Sequence, residues 1–112
     1  MRDKIEAMPF NKDAENSILG CILIDGEKCF DKVSPWIRND EAYYSDENKK
    51  IWKAIKILRK KKEVIDLITV SNILKEEGED EITYYLSGLP NIIATTANVE
   101  NHAKIIWEKY VQ

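Results

Sequence analysis

The sequence is poor in the residue types that build cross-links, metal sites and catalytic centres. Its 112 residues include two cysteines, three prolines, four glycines and one histidine. Cys21 and Cys29 have no further cysteine or histidine nearby, which excludes a disulfide framework and a zinc site and favours a reducing cytosol. None of the glycines is followed by lysine, so the phosphate loop of nucleotide hydrolases is absent. We therefore predict that this chain alone is no enzyme and holds no metal or cofactor.

A long hydrophobic run and an excess of positive charge are also missing. No run approaches the roughly 18 apolar residues of a membrane span, and the first ten residues lack the apolar core of a signal peptide. Seventeen basic and twenty acidic side chains give a formal net charge of −3, so no overall field attracts nucleic acid or an anionic membrane. These absences predict a cytoplasmic protein without a membrane partner.

What the sequence does contain is apolar residues at helical spacing along most of its length. Hydrophobic residues make up 44% of the chain, which is typical of a folded globular domain. No segment shows the alternation of a β-strand. The pattern predicts an all-α fold with six helices, formed by a single domain over residues 11–112 after a loose arm of residues 1–10.

Three residues are expected to specify this fold. Gly20 interrupts an almost wholly apolar first helix, and it indicates that a neighbouring backbone, which we expect to be a crossing helix, comes close. Asp66 is predicted to cap the amino terminus of the fourth helix, and Gly78 to end that helix in a left-handed conformation.

The last helix carries more apolar surface than one core contact requires. Its apolar arc covers about 240°, more than twice the width of an ordinary amphipathic face. An interface with another molecule, most simply a twofold dimer, would explain the excess, although the fifth helix and the amino-terminal arm could also cover it. His102 is expected to pack there or to make a surface hydrogen bond, in preference to a catalytic role. The candidate interface residues are Val99, His102, Ile105, Ile106, Trp107 and Tyr110.

The third helix concentrates positive charge. This cluster of lysines and one arginine could contact the phosphates of DNA or RNA. We favour the interpretation that the helix face is solvated and that the cations of its last turn suit the helix dipole. The candidate basic surface consists of Lys49, Lys50, Lys53, Lys56, Arg59, Lys60, Lys61 and Lys62.

Four segments, in order, resemble the amino-terminal domain of bacterial replicative DNA helicases of the DnaB type. They are "NKDAENSILGCILID", "EAYYSDENKKIWKAIKIL", "IDLITVSNILKEEGE" and "TTANVENHAKII". The third is the most specific of them. Asn48 stands where a histidine is usual in that family. The resemblance covers about residues 9–110, nearly the whole chain.

The resemblance implies a small helical head followed by a carboxy-terminal helical hairpin, here residues 81–112, with hairpins of neighbouring subunits pairing in a ring-shaped collar. It also implies that the domain assembles the hexamer and receives the carboxy-terminal domain of primase, and in some cases a loader. The motor domain, which uses ATP and Mg and moves along DNA, would follow a linker beginning near residue 112. By resemblance the chain is thus a domain of a longer helicase.

Two other functions compete with this expectation. A free-standing phage or plasmid protein could copy the helicase collar in order to cap or load a separate helicase. A nucleic-acid-binding helical domain could use the face from Lys49 to Lys62, and its affinity would then depend on salt.

Overall fold

The computed structural model describes residues 12–91 and 98–112. The predicted arm and the predicted start of the last helix at residue 96 lie outside these ranges. Within them the chain forms helices and no strand, which confirms the all-α prediction. The α-helices are α1 (Lys12–Asp25), α2 (Glu27–Val33), α3 (Asp46–Lys60), α4 (Leu67–Glu76), α5 (Asp80–Gly88) and α6 (Val99–Tyr110). Three short 3-10 helices cover Ser34–Trp36, Asp40–Ala42 and Leu89–Asn91.

Helix α1 is the centre of the domain. Nine of its fourteen residues are buried, and it packs against α2, α3, α6 and the 3-10 helix at Leu89–Asn91. A Cβ atom on Gly20 would lie 2.6 Å from the carbonyl oxygen of Leu89. The sequence therefore predicted the close backbone approach correctly, but the approaching backbone belongs to this short 3-10 helix instead of a long crossing helix.

The predicted helix ends on α4 are confirmed. The Asp66 side chain accepts a hydrogen bond of 2.9 Å from the Thr69 backbone N–H, and the Thr69 hydroxyl accepts one of 2.9 Å from the Asp66 N–H. This reciprocal capping box satisfies two amide groups that the helix itself leaves unpaired. Gly78 follows α4 with a φ of +78°, a conformation that favours glycine.

Helices α5 and α6 have different neighbours. Helix α5 packs against α4 and the Leu89–Asn91 turn, whereas α6 packs chiefly against α1 and α2. The two helices of the predicted hairpin, residues 81–112, thus have their main contacts with the head. The reason is that the apolar stripe of α6 contains Val99, Ala103 and Ile106, all of which are buried in the same core as α1.

Candidate interaction surfaces

The structure divides the predicted interface on α6 into two parts. Val99 and Ile106 are 0% and 2% exposed and belong to the core of the domain, which indicates an intramolecular role, and their place in an intermolecular interface stays a prediction. Helical spacing places both side chains toward α1, and a sequence pattern cannot distinguish an intramolecular from an intermolecular neighbour. The remaining interface candidates, His102, Ile105, Trp107 and Tyr110, are only partly buried or exposed.

An aromatic surface lies at the carboxy-terminal end of α6. The Trp107 and Tyr110 rings are 5.4 Å apart, and Tyr110 is 38% exposed. Trp36, which the sequence pattern did not single out, contributes a further exposed ring, and the Lys104 ammonium lies 5.8 Å from its centroid. Exposed aromatic rings beside a cation are common in protein interfaces. Trp36 ends a short 3-10 helix that is far from α6 in sequence, and the sequence pattern gave no sign that the two lie close together.

The candidate basic surface is partly neutralised by acidic side chains of the same chain. Lys49 pairs with Glu41 at 2.9 Å, and Lys50 pairs with Glu79 at 3.0 Å. These hydrogen-bonded carboxylates raise the pKa values of both lysines. Lys56 pairs with Asp40.

Arg59 is also neutralised, because its guanidinium donates two hydrogen bonds, of 3.0 and 3.1 Å, to the Asp31 carboxylate. The other four cations are exposed and make no ion pair within the part of the chain that the structure describes: Lys53, Lys60, Lys61 and Lys62. The surface therefore offers fewer free charges than its sequence indicates, which weakens the interpretation that it follows a nucleic-acid backbone.

A buried polar cluster joins three distant segments. The Glu15 carboxylate is 1% exposed and accepts hydrogen bonds from the Tyr44 backbone N–H at 2.8 Å and from the Asn48 side-chain amide at 2.9 Å. The Tyr85 hydroxyl donates to the Asn48 side-chain oxygen at 2.9 Å and lies 3.0 Å from that of Asn16. Burial raises the pKa of Tyr85, so the hydroxyl stays protonated as a donor.

This cluster was not predicted, because the position of Glu15 near a helix amino terminus is equally well explained by the helix dipole. The cluster has a structural role, since it ties α1 to α3 and α5. A cavity of about 550 Å³ opens beside it and is lined by Lys12, Glu15, Tyr44, Ser45, Asp46 and Glu47.

The two thiols are buried and contact each other across α1 and α2. Burial, followed by the proximity of Cys21, raises the pKa of Cys29 to about 12, so this thiol is protonated and unreactive at neutral pH. Across residues 12–91 and 98–112, no group of three histidine, cysteine or acidic side chains is placed to hold a metal ion. No helix in those same ranges combines the length and apolar character that a membrane crossing requires.

The described residues form a small all-α domain with an aromatic surface at the end of α6 and a partly neutralised basic helix. The chain belongs to the family of DnaB-like helicase N-terminal domains, whose family model matches residues 7–108. It is 36% identical over 106 residues to the replicative DNA helicase DnaB of Rhodothermus marinus, a match that covers 89% of this chain and 11% of the relative. It is 33% identical over 110 residues to the DnaB of Buchnera aphidicola, covering 96% of this chain and 23% of the relative.

A solved structure supports the same assignment. The N-terminal domain of DnaB helicase from Mycobacterium tuberculosis matches with a TM-score of 0.82 and 29% sequence identity, over 90% of this chain and 71% of that one. The chain spans only 11% and 23% of the length of the two helicases named above. The comparison thus identifies the domain and does not extend to the rest of those longer proteins.

Proposed function

We propose that this chain is the N-terminal assembly and recruitment domain of a replicative DNA helicase in the cytoplasm. In this role it supports formation of the hexamer collar and receives the carboxy-terminal domain of primase or a helicase loader. The observation that carries the proposal is the family match over residues 7–108. A TM-score of 0.82 to a DnaB N-terminal domain supports it independently at the level of fold.

The outer side of α6 is the surface that best suits this role. Ile105 and Trp107 lie on opposite flanks of the buried stripe, and Tyr110 extends past the end of the core. Tryptophan and tyrosine are enriched among the few residues that carry most of the binding energy in protein interfaces. Catalysis belongs elsewhere in this proposal: a motor domain in the parent helicase would bind ATP and Mg and would contact DNA.

The proposal is tested with a double variant, Ile105→Ser with Tyr110→Ser, and a control, Tyr84→Ser, on α5. Tyr84 is 87% exposed, so its loss should not disturb the fold. Light scattering coupled to size exclusion reports self-association, and calorimetric titration with the primase carboxy-terminal domain from the same source reports recruitment. We expect the double variant to weaken at least one of the two interactions about tenfold or more, and the control to weaken neither.

Two outcomes would contradict this proposal. An unaltered chain that neither self-associates nor binds primase would remove the recruitment role. A chain that binds a separate, complete helicase hexamer but not primase would instead favour a free-standing accessory protein that caps or loads that helicase.

A further inference from the structure

A groove with an apolar floor and a basic rim lies between α2 and α3. Its volume is about 560 Å³, and we call it the α2–α3 groove. Phe30 and Ile57 form the floor. The rim carries four cations and one carboxylate: Lys53, Lys56, Arg59, Lys60 and Asp40.

The floor is preformed. The Phe30 ring lies 5.1 Å from the Trp52 ring, and Trp52 in turn lies 5.2 Å from the ring of Tyr43. Trp52 and Tyr43 are 1% and 0% exposed, so this cluster of mutually tilted rings is fixed in the core. A ligand side chain placed on the floor would therefore bind without a costly rearrangement of the protein.

The rim contains two kinds of cation. Arg59 and Lys56 are held in place by the carboxylates of Asp31 and Asp40. Lys53 and Lys60 are exposed and make no ion pair with any residue that the structure describes, so they remain available to a ligand. They are seven residues apart on α3, which corresponds to about 10 Å along the helix axis, and Ile57 lies between them.

This spacing matches the dimensions of a peptide in the polyproline II conformation. That conformation has three residues per turn, so residues three positions apart lie on the same side of the peptide and are separated by about 9 Å, which is close to the spacing of the two free lysines. We propose that the α2–α3 groove binds a short acidic segment of a partner protein, with two carboxylates three residues apart on Lys53 and Lys60. One apolar side chain between the carboxylates would rest on Phe30 and Ile57.

A nucleic acid fits the groove less well. A nucleic acid carries a phosphate at every nucleotide, so phosphates beyond the two at Lys53 and Lys60 would meet the carboxylates of Asp40 and Asp31, which lie in or next to the rim and which a peptide with only two carboxylates can avoid. The apolar floor would also be left without a matching group. The proposal goes beyond the role in helicase assembly, because peptide binding here depends neither on self-association nor on primase.

Fluorescence anisotropy with a labelled peptide tests this assignment. The peptide contains Glu-Ser-Leu-Glu between neutral Gly-Ser flanks, and the protein is the full 112-residue chain. We expect saturable binding that weakens about tenfold or more in the double variant Lys53→Glu with Lys60→Glu, because both attractions become repulsions. Replacing the peptide leucine with serine should also weaken binding about tenfold, because the apolar contact is lost.

The matched control is Lys75→Glu on α4, an exposed lysine that does not line the groove. Circular dichroism confirms that each variant is folded. The proposal is overturned if Lys75→Glu weakens binding as much as the double variant, or if the peptide does not bind. A third outcome also overturns it, in which the serine peptide binds as well as the leucine peptide and a labelled oligothymidylate binds in a manner that requires Lys53 and Lys60. The groove would then be a nucleic-acid surface.

Discussion

Asn48 shows how one buried side chain can connect three helices. It is 0% exposed, donates its amide hydrogens to Glu15 and Asn16, and accepts a hydrogen bond from Tyr85. An asparagine amide can donate and accept at the same time, which suits a site between a carboxylate and a hydroxyl. Buried polar groups of this kind stabilise a fold only when each of them has a partner.

Replacing Asn48 with alanine should therefore lower the free energy of unfolding by about 1–3 kcal/mol. The substitution removes the donor to one oxygen of the buried Glu15 carboxylate and one of the two acceptors near the partly buried Tyr85 hydroxyl. Urea unfolding followed by circular dichroism measures the change. Asn72→Ala, at an exposed position of α4, is the control and should alter stability by about 0.5 kcal/mol or less. Equal stabilities for the two variants would show that the cluster contributes nothing.

At the scale of the helix, the surroundings of two glycines predict opposite effects for the same substitution to alanine. Both lie in α-helices, where alanine is favoured over glycine by up to about 1 kcal/mol. A Cβ atom on Gly20 would be 2.6 Å from the Leu89 carbonyl oxygen, whereas one on Gly88 would have no neighbour within 4 Å. Because the obstacle at Gly20 is backbone, it cannot move aside as a flexible side chain could.

We expect Gly20→Ala to destabilise the domain by about 1–3 kcal/mol, the usual cost of overpacking, despite the better helix propensity. Gly88→Ala should be neutral or slightly stabilising. Thermal unfolding of the two variants beside the unaltered chain gives the comparison directly. A Gly20→Ala protein as stable as Gly88→Ala would mean that α1 and the Leu89–Asn91 turn can separate without cost.

At the scale of the whole molecule, the sequence predicted local features better than distant contacts. The capping box at Asp66 and the left-handed Gly78 follow from neighbouring residues, and both are present. The neighbour of Gly20 and the partners of Lys50 and Arg59 depend on segments far away in sequence, which periodicity does not specify. The same limit applies to α6, whose spacing predicted an apolar face but not the molecule that covers it.

A substitution at Ile106 tests whether the apolar face of α6 is covered by its own domain or by another chain. Its side chain is 2% exposed in a core shared with α1, so Ile106→Glu would bury an unpaired charge and should cost several kcal/mol. We expect this variant to be unfolded or aggregated by circular dichroism and size exclusion. Tyr110→Glu, one turn further along the same stripe but 38% exposed, should remain folded and change only the interactions of the outer surface. A folded, monomeric Ile106→Glu protein would instead place Ile106 at an interface between chains, and α6 would then have to leave the head in solution.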